Sequence, residues 1–98
     1  MTFRLVLTSR AKSDLEKLSG NPALNKQLKA TRGCLAKLES NPRHPGLRTH
    51  KFSDLSGLDD EVIFEAYAEN NTPGAYRIFW HYGPGKDVIT IIAITPHP

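Results

Sequence analysis

The sequence predicts an α+β fold in the order β-α-α-β-β-β-β, with two N-terminal helices packed on one face of a mainly antiparallel sheet and an open concave face opposite. Three observations predict it. Apolar residues recur at helical spacing only between residues 9 and 41. Beyond residue 46 the chain changes to segments rich in β-branched and aromatic residues, separated by Gly, Pro and Asn. Val88-Ile89-Thr90-Ile91-Ile92-Ala93-Ile94 is apolar on both parities, as a central strand buried on both sides requires. A chain of 98 residues builds one hydrophobic core, so residues 1–98 read as a single domain.

Phe3, Leu5 and Leu7 alternate with Arg4 and Val6, the period of a short first strand. Thr8 and Ser9 offer capping hydroxyls for a first helix that carries Leu15 and Leu18 and stops at Gly20. Asn21-Pro22 starts the second helix, because proline fits the first helical position, where the missing N–H has no partner to lose. Leu24, Leu28, Leu35 and Leu38 form its apolar stripe, and Asn41-Pro42 ends it. After the Pro42–Gly46 turn, Leu47 to Phe52 is expected to be an edge strand. Glu61 to Ala68 and Ala75 to Tyr82 are two further strands joined by Asn70-Asn71-Thr72-Pro73-Gly74. Gly83-Pro84-Gly85-Lys86 turns the chain into the last strand, beside which the first is expected to add.

Hydrophobic residues make up 39% and charged residues 23% of the chain, which excludes the disordered class. No stretch is long and apolar enough for a membrane span, and the N-terminal apolar run is too short for a signal peptide. Cys34 is the sole cysteine, so no internal disulfide forms, and a reducing, cytoplasmic setting is expected. The net charge of +3 hides an asymmetry. Residues 1–52 hold eleven Lys and Arg against three acids, and residues 53–98 hold two against seven. So uneven a charge suits a polyanion or an acidic protein partner, or it simply solvates two helices.

Period two places Arg77, Phe79 and His81 on one face of their strand and Tyr76, Ile78, Trp80 and Tyr82 on the other. In the preceding strand Val62, Phe64, Ala66 and Ala68 form the apolar parity. If both apolar sets face the helices, then Glu65, Tyr67, Arg77, Phe79 and His81 share the open face. Cleavage of RNA needs this combination: a base for the ribose 2′-OH, an acid for the leaving 5′ oxygen, and a fixed cation for the phosphate. Arg77 is the phosphate clamp, Glu65 or a histidine the base, and His81 or His97 the acid. Phe79 and Tyr67 can stack unpaired bases. The plainer alternative is a cross-strand ion pair between Glu65 and Arg77.

Arg43, His44, Arg48, His50 and Lys51 form a second group, able to hold an RNA backbone or merely to solvate a loop. The four histidines lack tight ligand spacing, so neither a metal nor any other cofactor is expected. Cys34, in the second helix, is expected to be a small buried filler.

Taken together, Phe3-Arg4-Leu5-Val6-Leu7-Thr8, the two charged helices, Leu55-Ser56-Gly57, Gly74-Ala75-Tyr76-Arg77-Ile78-Phe79-Trp80 and Ile91-Ile92-Ala93-Ile94-Thr95-Pro96-His97 resemble the RelE/ParE superfamily of bacterial type II toxins. The resemblance spans essentially the whole chain and implies a RelE-like fold. On the RelE branch it implies a ribosome-dependent endoribonuclease that cuts mRNA in the decoding site without metal. The ParE branch implies an inhibitor of DNA gyrase, and a degenerate member would only bind its antitoxin. Either branch implies a cognate antitoxin protein as partner. By position, Arg77 falls on the family's sheet arginine that contacts the scissile phosphate, and His97 falls near a basic residue that serves the active site. Glu65 lies on the strand where the RelE toxin carries catalytic lysines, whereas relatives with a glutamate base take it from an earlier segment. The resemblance leaves His97, His81 or Tyr67 as the general acid.

Overall fold

A computed structural model describes residues 2–56, 60–69 and 74–96. Strand β1 (Arg4–Leu7) leads into helix α1 (Ser9–Ser19), a 3₁₀ turn (Pro22–Leu24) and helix α2 (Asn25–Ser40). A second 3₁₀ turn (Pro45–Leu47) precedes β2 (His50–Ser56), β3 (Val62–Tyr67), β4 (Tyr76–Tyr82) and β5 (Val88–Pro96). The five strands form one sheet in the order β1-β5-β4-β3-β2. Only the β1–β5 pair is parallel; the other three are antiparallel. The α+β arrangement expected from the sequence is the one observed.

Helix α1 and the 3₁₀ turn before α2 each begin where a side chain supplies the missing acceptor. The Ala11 N–H donates to Thr8 Oγ1 at 3.1 Å, and the Thr8 hydroxyl donates to the Ile92 carbonyl at 2.8 Å, tying α1 to β5. Asn21 Oδ1 accepts from the Ala23 N–H, but Pro22–Leu24 winds as a 3₁₀ turn, so α2 proper starts three residues later than Asn21-Pro22 suggests. Both helices cover the same face of the sheet, α1 over β5 and α2 over β4. Beneath them Leu18, Leu38, Ile78, Trp80, Ile89, Ile91 and Ile94 are almost fully buried. A smaller cluster of Ile63, Phe79 and Ala93, flanked by Phe52 and Ile92, lies apart from this core.

Two features depart from the simple alternation. Phe79 pairs with Ala93 but Trp80 pairs with Ile91, so Ile92 is an extra residue, a bulge in β5. Before it Ile89 and Ile91 face the helices; after it Ile94 does, while Ile92 and Ala93 join the smaller cluster. The bulge explains why β5 is apolar on both parities. The second departure corrects the expected start of β2. Leu47 is not in a strand: it is fully buried under the helices as part of the second 3₁₀ turn, and the Gly46 N–H donates to His44 Nδ1 at 2.9 Å to close that turn. Arg48 then adopts a left-handed conformation (φ 48°), reversing the chain so that pairing begins only at His50.

Candidate active site

On the face away from the helices, strand pairing lays out a row of four residues. His50 on β2 lies opposite Glu65 on β3, Glu65 opposite Phe79 on β4, and Phe79 opposite Ala93 on β5. One step along the sheet Tyr67 lies opposite Arg77, which lies opposite Thr95. Glu65 is therefore the hub, with charged or hydroxylic neighbours directly and diagonally across from it.

The side chains close on it. Arg77 Nη1 donates to Glu65 Oε2 at 2.7 Å, His50 Nε2 lies 2.6 Å from Oε1, and the Tyr67 hydroxyl donates to the same oxygen at 3.3 Å. Glu65 is 3% exposed, a depth at which a carboxylate needs donors around it, and the Arg77 guanidinium supplies the fixed charge among them. The Arg77 side chain is 17% exposed and that of His50 48%, so the cluster opens to solvent on the His50 side. The guanidinium of Arg77 rests 4.8 Å from the centroid of the Phe79 ring, and Phe79 meets Phe52 edge-on at 4.9 Å. These rings form a rigid floor that fixes the direction of the guanidinium.

The protons follow from the geometry. His50 Nδ1 faces the Arg48 carbonyl at 3.3 Å while Nε2 faces Glu65. Both ring nitrogens thus lie against oxygen atoms that can accept a hydrogen bond. Desolvation pushes the Tyr67 phenol above its ordinary range, and the adjacent Glu65 carboxylate adds to this; Arg77 and Arg48 oppose it. Tyr67 therefore holds its proton through neutral pH. The assembled groups are one carboxylate, one guanidinium, one imidazole and one phenol: a fixed cation, and three groups able to exchange a proton.

The structure brings Glu65, Tyr67, Arg77 and Phe79 together and places other candidates elsewhere. His81 is buried, with Nδ1 2.8 Å from the Tyr82 carbonyl. It lies four residues beyond Arg77 on β4, roughly 13 Å along the strand, with Phe79 between them. His97 lies outside the described residues. The basic group between residues 43 and 51 is split three ways. Arg43, His44 and Arg48 line a cavity toward the helix side of the sheet. Lys51 pairs with Phe64, a residue of the helix-side parity, so it faces away from His50. His50 alone joins Glu65, and sequence reasoning did not put it there. Its signal was a parity shared with Phe52, which becomes readable only once β2 is known to start at residue 50. Among the described residues no three His, Cys, Asp or Glu side chains come together as metal ligands, and no helix is long and apolar enough to cross a membrane.

No protein-family model matches this sequence, and no curated protein does. Solved structures do resemble the chain. A chain of the archaeal RelE-RelB complex from Pyrococcus horikoshii aligns with a TM-score of 0.65 at 20% identity, over 98% of this chain and 96% of that one. The YoeB/ParE toxin from Agrobacterium tumefaciens aligns with a TM-score of 0.71 at 14% identity, over 98% and 100%. The YoeB dimer from Staphylococcus aureus gives 0.64 at 14% identity, over the whole of both chains. Such low identity carries the backbone and not the chemistry, and the backbone agrees from end to end. The chain has the RelE/ParE toxin fold.

Proposed function

We propose that this protein is the toxin of a type II toxin–antitoxin pair and that it cleaves mRNA in the ribosomal decoding site. One observation carries the reading: the convergence of Arg77, His50 and Tyr67 on the buried Glu65 carboxylate at the open face. Glu65 occupies the place an RNA phosphate would take between Arg77 and His50. When a phosphate enters, its oxygens accept from the Arg77 fork and from His50, and the Glu65 carboxylate is released from both. Glu65 then takes the proton from the 2′-OH, whose oxygen attacks the neighbouring phosphorus. The P–O5′ bond breaks, and His50 or Tyr67 gives the 5′ oxygen its proton. The products are a 2′,3′-cyclic phosphate and a 5′-hydroxyl. Arg77 holds the extra negative charge of the pentavalent state, and Phe79 keeps the guanidinium in place. Glu65, Arg77 and either His50 or Tyr67 thus supply the base, the cation and the acid of the reaction.

The partner is an antitoxin with an acidic segment, matched to the basic N-terminal half and covering the open face. The site's cations favour RNA over a gyrase surface. Induced expression should arrest growth, with mRNA cut and purified protein inhibiting cell-free translation. Arg77→Ala should relieve the arrest and slow cleavage by about 10²–10³-fold, the usual consequence of removing one donor to a charged transition state. Intact mRNA together with inhibited DNA supercoiling would replace the nuclease with a gyrase inhibitor. Absence of any growth effect would leave a protein that only binds its antitoxin.

A further inference from the structure

Arg43, His44, Arg48, Thr49, Phe64, Trp80 and Tyr82, with Pro42 and Pro45, line a cavity of about 440 Å³ on the other side of the sheet. Among the described residues neither helix lines it: α2 lies over β4, and of the Pro45–Leu47 turn Pro45 alone reaches the wall. Three of its walls are aromatic. Phe64 stacks on Trp80 at 4.9 Å, and Tyr82 meets Trp80 edge-on at 4.9 Å and Phe64 at 5.7 Å. Its polar side chains are rich in donors. Arg43 and Arg48 are exposed cations, His44 keeps its proton on Nε2 because Nδ1 accepts from Gly46, and among the described residues no carboxylate lines the cavity. Two polar atoms of its lining residues, Trp80 Nε1 and Thr49 Oγ1, are buried with no hydrogen-bond partner among the described residues. A buried donor left in this state is destabilising by about 1–3 kcal/mol. Both therefore gain from a ligand that brings an acceptor.

We propose that this cavity is a nucleotide subsite that takes a base flanking the cut, with its phosphate on Arg43 and Arg48. This deepens the RNA-cleaving reading and rests on it for the word flanking; binding of a nucleotide does not. Aromatic walls and paired guanidinium groups fit a planar ring joined to an anion, and the volume lies in the range that takes small organic ligands. An acidic peptide would meet the cations but leave the aromatic walls unused. The cavity also joins the catalytic face through consecutive residues. Arg48 and Thr49 line it, the Arg48 carbonyl faces His50, and His50 touches Glu65. A strand of RNA rounding the β2 edge thus passes from one site to the other. Tyr82 is 42% exposed and is the wall that must turn aside, leaving its ring contacts with Phe3, Phe64 and Trp80, to admit a base edge to the indole N–H.

Trp80 is the only tryptophan, so its indole N–H gives one resonance in a ¹⁵N spectrum of the whole protein. Titration with each of the four nucleoside 5′-monophosphates should shift it saturably, with a preference among bases. Arg43→Ala should weaken the response about tenfold, the worth of one charge-assisted contact. Arg48→Gly should do the same with the fold intact, since glycine adopts φ 48° without strain. An equal shift with inorganic phosphate, a shift only with an oligoglutamate peptide, or no shift with any probe each overturns the proposal. Cleavage of mRNA by wild type without an indole response removes the subsite alone. An indole response in a protein that cuts no RNA removes the nuclease and leaves the nucleotide site.

Discussion

Glu65 shows how far one residue can organise a face. Glu65→Gln keeps the shape but removes the charge, leaving Arg77 and His50 facing an amide; loss of one partner from a buried pair destabilises by about 3–5 kcal/mol. A lowered denaturation midpoint with an unchanged slope on denaturant is the expected result in urea. Cys34 carries a pH dependence. Burial in α2 pushes its thiol up to about 12, against a smaller lowering by Lys37. The unfolded thiol ionises near 8.5. Between these values the folded chain keeps a proton that the unfolded chain has lost, so stability falls as pH rises through that window and is unaffected below it. Cys34→Ala should show a shallower decline from about pH 9 to 11 in equilibrium unfolding. Gly33, exposed in the middle of α2, has nothing within 4 Å of the place a Cβ would occupy. Gly33→Ala should therefore raise stability by about 0.5–1 kcal/mol.

At the level of elements, the strongest local signals were readable before any coordinates. Thr8, Gly20 and Asn41 bound the helices as their chemistry suggests, and Thr8→Ala, which removes both the cap of α1 and its tie to Ile92, should cost about 1–2 kcal/mol in thermal or denaturant unfolding. The parity of β3 and β4 was legible too, and with it the meeting of Glu65, Tyr67, Arg77 and Phe79, because period two needs no knowledge of the partner strand. What failed depended on non-local geometry. Leu47 looks like a strand residue until the core claims it. His50 looked like one of several basic loop residues because its register with Glu65 is fixed by the Arg48 reversal, which no propensity marks in an arginine. His81 shares its parity with Arg77, yet parity states the face and not the distance along it. Asp14 drew no notice either, though its Oδ2 accepts the Ile94 N–H at 3.0 Å and its carboxylate pairs with Arg10.

For the molecule as a whole, the charge asymmetry is borne by exposed residues, among them Lys26, Lys29, Arg32 and Lys37 along the outer side of α2. Association with an acidic partner should therefore slow steeply with added salt while dissociation changes less, a split that stopped-flow mixing at two ionic strengths can read. An association rate indifferent to salt would mean that this surface takes no part in the encounter. The two faces of the sheet serve different ends: one is packed under helices and the other gathers the polar groups. One inserted residue, Ile92, changes the parity of the helix-facing positions partway along β5. Excising it would leave Ile91 opposite Trp80, Ala93 opposite Phe79 and Ile94 opposite Ile78, each on its present face, so a chain shortened by that one residue should still fold, losing the bend of the bulge and the carbonyl that ties Thr8 to β5.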